Sequence, residues 1–378
     1  MKIKNFKTLI YEFPLKEKVV TSFGEMDSRP ALILEVTTTD NIKGYGEIWC
    51  NWPAKSAYYK VNLVHKVFKY FIQDIKFSSP KSFYNQINDQ LSIMISQTGD
   101  AGTFQNIIAG FDIAIWDIFG KKIKKPINQI INKNAKFQVN TYASGINPTN
   151  CKNTILNSRK NGFDKFKLKI GFNKNNDLKN IDSILEILKK NEELIVDVNQ
   201  GWEFDKCKKL LKEISQRKIK WIEEPVISSL DINKWKNLSK KSSNPFACGE
   251  NLRSKKDFEK FLKIKNIKYV QPDICKWGGF SEIIELNKII KKYKKIYCPH
   301  FLGSGIGLIA SAHLLSGSKA KGFLEVDINL NPLRSEFCKK ELINGKYFQI
   351  NNLPGLGILK IPTTIKKYLK NIEKSKLN

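Results

Sequence analysis

The sequence predicts an α/β fold, a (β/α)8-type barrel behind an N-terminal α+β domain. Three short apolar runs each end in an acid: Leu194-Ile-Val-Asp197, Ile219-Lys-Trp-Ile-Glu223 and Pro245-Phe-Ala-Cys-Gly-Glu250. They are too short for helices and read as strands. Their acids lie 26 and 27 residues apart (197 to 223, 223 to 250), and amphipathic helical segments fill the gaps. That spacing is one strand plus one helix, the repeat of a barrel whose functional residues sit at the C-terminal strand ends. From Phe137 onward, strand signals recur at 137–143, 163–170, 194–199, 219–224, 245–250, 268–274, 296–300 and 322–327.

Before the barrel, residues 1 to about 50 read as a β-meander. Leu32, Leu34 and Val36 alternate with Ile33, Glu35 and Thr37, and a turn at Thr39-Asp-Asn-Ile precedes Gly44-Tyr-Gly-Glu-Ile-Trp49. Residues 17–29 contain Gly24 and few strand signals, so a mobile loop is expected there. Helical patterns follow at 56–73, 80–95 and 103–120. In the last, Phe111, Ile115 and Phe119 step by four along an apolar face, with Gly120 and Pro126 as stop signals. The domains expected are 1–135 (cap), 136–335 (barrel) and 336–378, a C-terminal segment that returns to the first domain.

Composition narrows the class. The hydrophobic fraction of 41% is ordinary for a globular protein. No apolar run approaches the roughly 18 residues of a membrane span, and Met1-Lys-Ile-Lys-Asn-Phe-Lys lacks a signal-peptide core. The seven cysteines are scattered with no C-x-x-C pair, which suits reduced thiols in a cytoplasm. The net charge of +29 raises the question of a polyanion partner. Only five of the 65 basic residues are arginine, however, and the lysines run along the whole chain. That is a compositional bias more than a reading surface for nucleic acid, though the field still favours acidic substrates. A non-enzymatic polyanion-binding protein is the alternative from another class.

The remaining strand ends carry chemistry as well. Lys167 and Lys169 lie two apart on one strand and so face the same side. Asp273 follows Tyr269-Val-Gln-Pro, His300 follows Tyr297-Cys-Pro, and Glu325 and Asp327 end the last strand. A lone strand-end acid is ordinarily a helix cap, and a lone histidine an ordinary polar residue. A run of ionisable strand ends in a βα frame points to a built site. Asp197, Glu223 and Glu250 supply an oxygen-only ligand set suited to Mg2+. Such a site can draw a substrate carboxylate, and loss of its α proton gives an enediolate that Mg2+ and Lys167 can stabilise. Lys169, beside the like charges of Lys167 and the dication, is one base. His300, oriented by Asp273, is the second acid/base group.

These residues resemble the enolase superfamily, specifically its mandelate racemase subgroup, over nearly the whole chain. Gly44-Tyr-Gly-Glu47 and Ala114-Ile-Trp-Asp117 are similar to the family's capping domain. Lys167-Leu-Lys169, Asp197-Val-Asn199, Glu223-Glu224-Pro225, Gly249-Glu250-Asn251, Asp273 with Gly278-Gly279, and Pro299-His300 resemble its barrel motifs in order and spacing. The resemblance implies a modified (β/α)7β barrel, with Mg2+ on Asp197, Glu223 and Glu250. It also implies Lys169 and the His300–Asp273 dyad as the acid/base pair, Lys167 steadying the enolate, and Glu325 bonding the substrate carboxylate. It further implies a small-molecule carboxylate as substrate, no nucleic-acid or membrane partner, and a homo-oligomer (dimer or octamer). The expected activity is a Mg-dependent dehydratase of an aldonate or aldarate, giving a 2-keto-3-deoxy acid. The alternatives are a racemase or epimerase, or a sugar-acid lactone cycloisomerase, which the stretch from Phe323 to Arg334 also resembles.

Several positions stay open in the sequence. Strand alternation lets only one of Glu223 and Glu224 face inward, and the motif favours Glu223. The lysine of sister subgroups is replaced by Asp273, and Lys276, three residues on, is expected to face elsewhere. Asp327 competes with Glu325. Ser144 and Asn199 are candidate substrate contacts, with turn chemistry the alternative for Ser144. Gly303-Ser-Gly-Ile-Gly307 reads as a turn, with an anion site as its alternative.

Overall fold

A computed structural model describes residues 1–21, 24–338 and 342–377 of the chain. The chain begins as an antiparallel sheet of β1 (Ile3–Thr21), β2 (Gly24–Thr38) and β3 (Lys43–Ile48). Alternate residues of β2 enter two different cores. Leu32, Leu34 and Val36 pack under the cap helices, while Ala31 and Ile33 join the cluster that continues into the barrel. The cap sheet is therefore apolar on both faces. Its helices are α1 (Ser56–Leu63), a π turn at Val64–Phe68, α2 (Lys69–Ile72), α3 (Pro80–Thr98), α4 (Ala101–Lys122) and α5 (Ile127–Ile131). α4 lies almost on the backbone of β3. A Cβ on Gly46 would sit 2.0 Å from the Gly110 carbonyl oxygen, so only glycine permits this approach.

One expectation is corrected here. The 17–29 stretch is not a loop: β1 and β2 continue as a hairpin through it, with Val19 opposite Met26, Val20 opposite Glu25 and Thr21 opposite Gly24. Cross-strand hydrogen bonds supply what local signals lacked, and Val19-Val20-Thr21 is a β-branched run that favours strand. Ser22 and Phe23, part of the expected loop, lie outside the described residues.

The barrel then alternates strand and helix: β4 (Gln138–Ile146), α6 (Cys151–Lys160), β5 (Lys165–Lys169), α7 (Lys174–Leu185), β6 (Glu193–Asp197), α8 (Phe204–Ile214), β7 (Ile222–Glu223), α9 (Ile232–Lys241), β8 (Phe246–Cys248), α10 (Lys255–Leu262), β9 (Ile267–Val270), α11 (Gly279–Lys292), β10 (Ile296–Tyr297), α12 (Gly305–Gly317), β11 (Leu324–Asp327) and the one-turn α13 (Pro332–Ser335). The last strand is followed by only that short turn of helix, which makes the frame (β/α)7β. On α8, Cys207, Leu210, Leu211 and Ile214 form the buried stripe that lays the helix against the sheet. The parallel strands hydrogen-bond in the order β10-β9-β8-β7-β6-β5-β4-β11. The two edges, β10 and β11, meet at Gly322, where a Cβ would fall 1.7 Å from the Tyr297 carbonyl oxygen.

Several strands are shorter than their sequence signals. Pro225, Pro272 and Pro299 follow β7, β9 and β10 within two residues. Each lacks the N–H a ladder needs, so Asp273 and His300 lie just past their strands. The C-terminal segment first adds β12 (Tyr347–Gln349) antiparallel to β4, then β13 (Leu369–Lys376) antiparallel to β1. Inside the barrel, Tyr142, Ile195, Trp221, Ala247, Tyr269 and Cys298 form a separate apolar plug. Trp221 lies 4.4 Å from Tyr269 and meets Tyr142 edge-on at 5.5 Å between ring centroids. That plug is a dry floor beneath the charged mouth.

Candidate active site

A cavity opens where the cap covers the C-terminal mouth of the barrel. Its lower wall holds Ser144, Lys167, Lys169, Asp197, Asn199, Glu250, His300, Glu325 and Asp327, delivered by β4, β5, β6 and β11 and by the segments just after β6, β8 and β10. Its upper wall holds Val19, Met26 and Arg29 from the β1–β2 hairpin, with Trp49, Asn51 and Trp52 from the segment after β3. The sequence-predicted residues thus gather in one place, apart from Glu223 and Asp273, which lie just behind the lining.

Lys167 is the electrostatic hub. Its ammonium is 2.7 Å from Glu223 Oε1, 2.7 Å from Glu325 Oε1 and 3.6 Å from Asp197 Oδ2. Burial alone would lower its pKa, but Glu223 and Glu325 outweigh burial and hold it well above the usual lysine range. Glu223 also accepts from Gln271 Nε2 at 2.7 Å and from Trp221 Nε1 at 3.1 Å. Burial pushes its carboxyl up to about 7 against the pull of Lys167. Glu325 accepts in addition from the Ser144 hydroxyl and from Phe301 N at 3.2 Å. Ser144 therefore reaches the site through Glu325.

The second acid/base group is also in place. His300 Nδ1 is 2.7 Å from Asp273 Oδ2, and Asp273 Oδ1 is fixed by the amides of Cys275 and Lys276 at 2.8 and 3.1 Å. His300 Nε2 points at Glu250 Oε2, 2.5 Å away. Burial would lower the imidazole pKa; Glu250, Glu325 and Asp273 together raise it to about 10. Lining the same cavity, Lys169 Nζ donates to Asn199 Oδ1 at 2.7 Å, a neutral acceptor. Lys169 and His300 belong to the second and seventh strand positions, and Asp197, Glu223 and Glu250 lie between them on the third, fourth and fifth.

These carboxylates have the chemistry for a hard divalent ion: oxygen donors on three adjacent strands, with Asp197 and Glu223 directly opposite each other in the ladder. Among the described residues, however, no group of three acidic, His or Cys side chains lies close enough to hold a metal. The acids turn to the nearest cations, Glu223 to Lys167 and Glu250 to His300, as buried charges must. Glu224 also points inward to a buried position. It accepts from Asn251 Nδ2 at 2.6 Å, its Oε1 has no partner among the described residues, and burial pushes it up to about 8.

The structure corrects one placement and adds others. Lys276, expected to face elsewhere, lines the cavity, 3.5 Å from Glu250 Oε1 and over the Trp49 ring. Strand alternation does not govern it, because β9 ends at Val270 and the Asp273-capped turn swings it back to the mouth. Glu325 pairs with Lys167, and Asp327 lines the same cavity with other partners. It pairs with Arg29 at 3.2 Å and Arg334 at 3.1 Å, and nothing in the local sequence pointed to Arg29. The Gly303–Gly307 segment does bind an anion, but an internal one. Glu47 accepts from Ser304 N (2.7 Å), Ser304 Oγ (2.6 Å) and Gly307 N (2.8 Å) at the start of α12. Asp112 of α4 does the same for α11, accepting from Ser281 N at 3.0 Å and Ser281 Oγ at 2.5 Å.

Comparison with known proteins places this architecture. A family model described as "Enolase C-terminal domain-like" matches residues 152–359, and one for the "Mandelate racemase / muconate lactonizing enzyme, N-terminal domain" matches residues 7–132. The chain is 25% identical to D-galactarolactone cycloisomerase of Agrobacterium fabrum, over 95% of this chain and 96% of that one. It is also 25% identical to arabinonate dehydratase of Saccharolobus solfataricus, over 94% and 96%. A crystal structure of a mandelate racemase/muconate lactonizing enzyme from Bordetella bronchiseptica superposes with a TM-score of 0.90 at 30% identity, covering 97% of this chain and 99% of that one. The chain is an enzyme of the enolase superfamily and belongs to its mandelate racemase/muconate lactonizing enzyme family.

Proposed function

We propose that this enzyme is a Mg2+-dependent lyase that dehydrates an acid sugar, an aldonate or aldarate, to a 2-keto-3-deoxy acid. The observation that carries this reading is a pair lining one cavity from separate strands: Lys169 at the end of β5 and the Asp273-held His300 after β10. In this reading Lys169 takes the proton alpha to the substrate carboxylate. The electron pair left behind forms the enediolate, with the Lys167 ammonium donating to its oxygens and Glu325, in its protonated form, hydrogen-bonding the substrate carboxylate. His300 gives its Nε2 proton to the β hydroxyl, which leaves as water, and the enol product tautomerises to the 2-keto acid. Asp197, Glu223 and Glu250 would hold the Mg2+, which offsets charge on the carboxylate oxygens. The apolar plug and the cap exclude bulk water from the enediolate.

The second reading is a cycloisomerase or epimerase that uses the same enolate. It is supported by the similarity to the Agrobacterium cycloisomerase. Turnover of a panel of aldonates, aldarates and their lactones with Mg2+, followed by mass analysis, separates the two. Loss of 18 mass units, about one water, is the lyase result. Unchanged mass with a new stereoisomer or ring form supports the isomerase. No turnover of any panel member would remove the acid-sugar assignment.

A further inference from the structure

We infer that Arg29, braced by Asp327 and Arg334, reads the end of the substrate remote from the reacting carboxylate and selects a second carboxylate there, so that the substrate is a dicarboxylic acid sugar. This rests on the proposed reading for the identity of the reacting end, but the second-carboxylate subsite is argued from its own geometry.

Glu325 and Asp327 lie two residues apart on β11 and face the same side, about 7 Å apart along the strand. Lys167 pairs with the first and Arg29 with the second. The cavity therefore has two cationic poles, one from the barrel and one from the cap, paired with successive inward positions of β11. The Arg29 pole also carries excess positive charge. Two guanidiniums share Asp327 Oδ2, while Asp327 Oδ1 is already used by Asn329 N at 3.0 Å and Asn329 Nδ2 at 2.7 Å. Arg334 also donates from Nη2 to the Asn329 carbonyl at 2.6 Å. Arg29 is 4% exposed. Among the described residues, its Nη1 meets the weak acceptor Met26 Sδ, at 3.7 Å, and its Nε has no partner. A buried guanidinium with spare donors on a cavity wall is a site for a carboxylate oxygen.

The test compares binding of glutarate with that of 5-hydroxypentanoate, which replaces one carboxylate by a hydroxyl, to the full chain in Mg2+ by calorimetry. The wild type is expected to bind glutarate at least about tenfold more tightly, and Arg29→Gln to lose that preference. Equal binding of the two probes by the wild type, or a preference unchanged in Arg29→Gln, overturns the inference. Should Arg29→Gln fail to melt cooperatively, Arg29→Lys carries the test: a preference reduced at least about threefold supports the inference, and an unchanged one overturns it. Because these probes do not react, glutarate preference without acid-sugar turnover would sink the proposed reaction while leaving the subsite standing.

Discussion

Two sets of buried carboxylates, one at the cap–barrel interface and one at the barrel mouth, are stabilised in opposite ways. At the cap–barrel interface, Glu47 and Asp112 are satisfied by helix N-terminal amides and serine hydroxyls. At the barrel mouth, Glu223, Glu250 and Glu325 face lysine and histidine. An acid held by fixed amides is neutralised by the backbone it caps and can do little else. An acid held by a side-chain cation can exchange that partner for a metal or a substrate. The first set locks the cap over the mouth, and the second is left free to do chemistry. Glu47 joins the two roles physically, since the loop it clamps runs straight on from His300.

The largest effect should come from stripping the mouth of its hub. Lys167→Met leaves Glu223 and Glu325 buried without a counter-charge and is expected to cost about 3–5 kcal/mol in denaturant unfolding. A cost as small as that of a surface lysine would erase the contrast. Next, Glu47→Ala strands three donors at the start of α12 and should cost about 3 kcal/mol, with proton transfer through His300 impaired as the 301–304 segment loosens. Third, Mg2+ should raise the melting temperature of the wild type and raise that of Glu250→Gln far less, by mass action on the folded state. Glu47→Gln should keep the full Mg2+ shift, which separates metal-facing acids from interface acids.

The fourth effect is a pH signature. Burial raises Asp112 to about 7, its bonds to Ser281 opposing the shift. A carboxyl whose folded pKa is raised holds its proton more tightly in the folded state. Its contribution to stability is therefore full below about pH 4 and is lost as pH rises through about 7, by up to about 1.4 kcal/mol per pH unit. The stability difference between wild type and Asp112→Asn, measured by denaturant melts, should fall across that window. A difference independent of pH would contradict this account of the interface.

The strand-end motifs were legible because barrel chemistry repeats at a fixed spacing, so Lys167, Lys169, Asp197, Glu250, His300 and Glu325 could be found from pattern alone. What pattern could not supply was tertiary. The 17–29 hairpin forms because each strand completes the other's hydrogen bonds. Lys276 returns to the site through a turn, where alternation has no force. Arg29 matters only because folding brings the cap hairpin over β11, hundreds of residues later in the chain. Glu223 and Glu224 illustrate the limit of alternation itself: both are buried, one toward Lys167 and one toward Asn251. The left-handed φ of 36° at Glu224 breaks the strand geometry on which the choice relied.

The central claim is that Lys169 and His300 handle an α proton from separate strands lining one Mg2+ site. Proton NMR of acid-sugar substrates in D2O with Mg2+ tests it most directly, using wild type, Lys169→Ala and His300→Asn. The account predicts exchange or loss of the α proton in the wild type, abolished by a chelator. It predicts turnover to drop by about 10²–10⁴-fold in each variant, with His300→Asn still able to wash the α proton out through Lys169. Exchange that survives the chelator, or that is unchanged in Lys169→Ala, would contradict the claim.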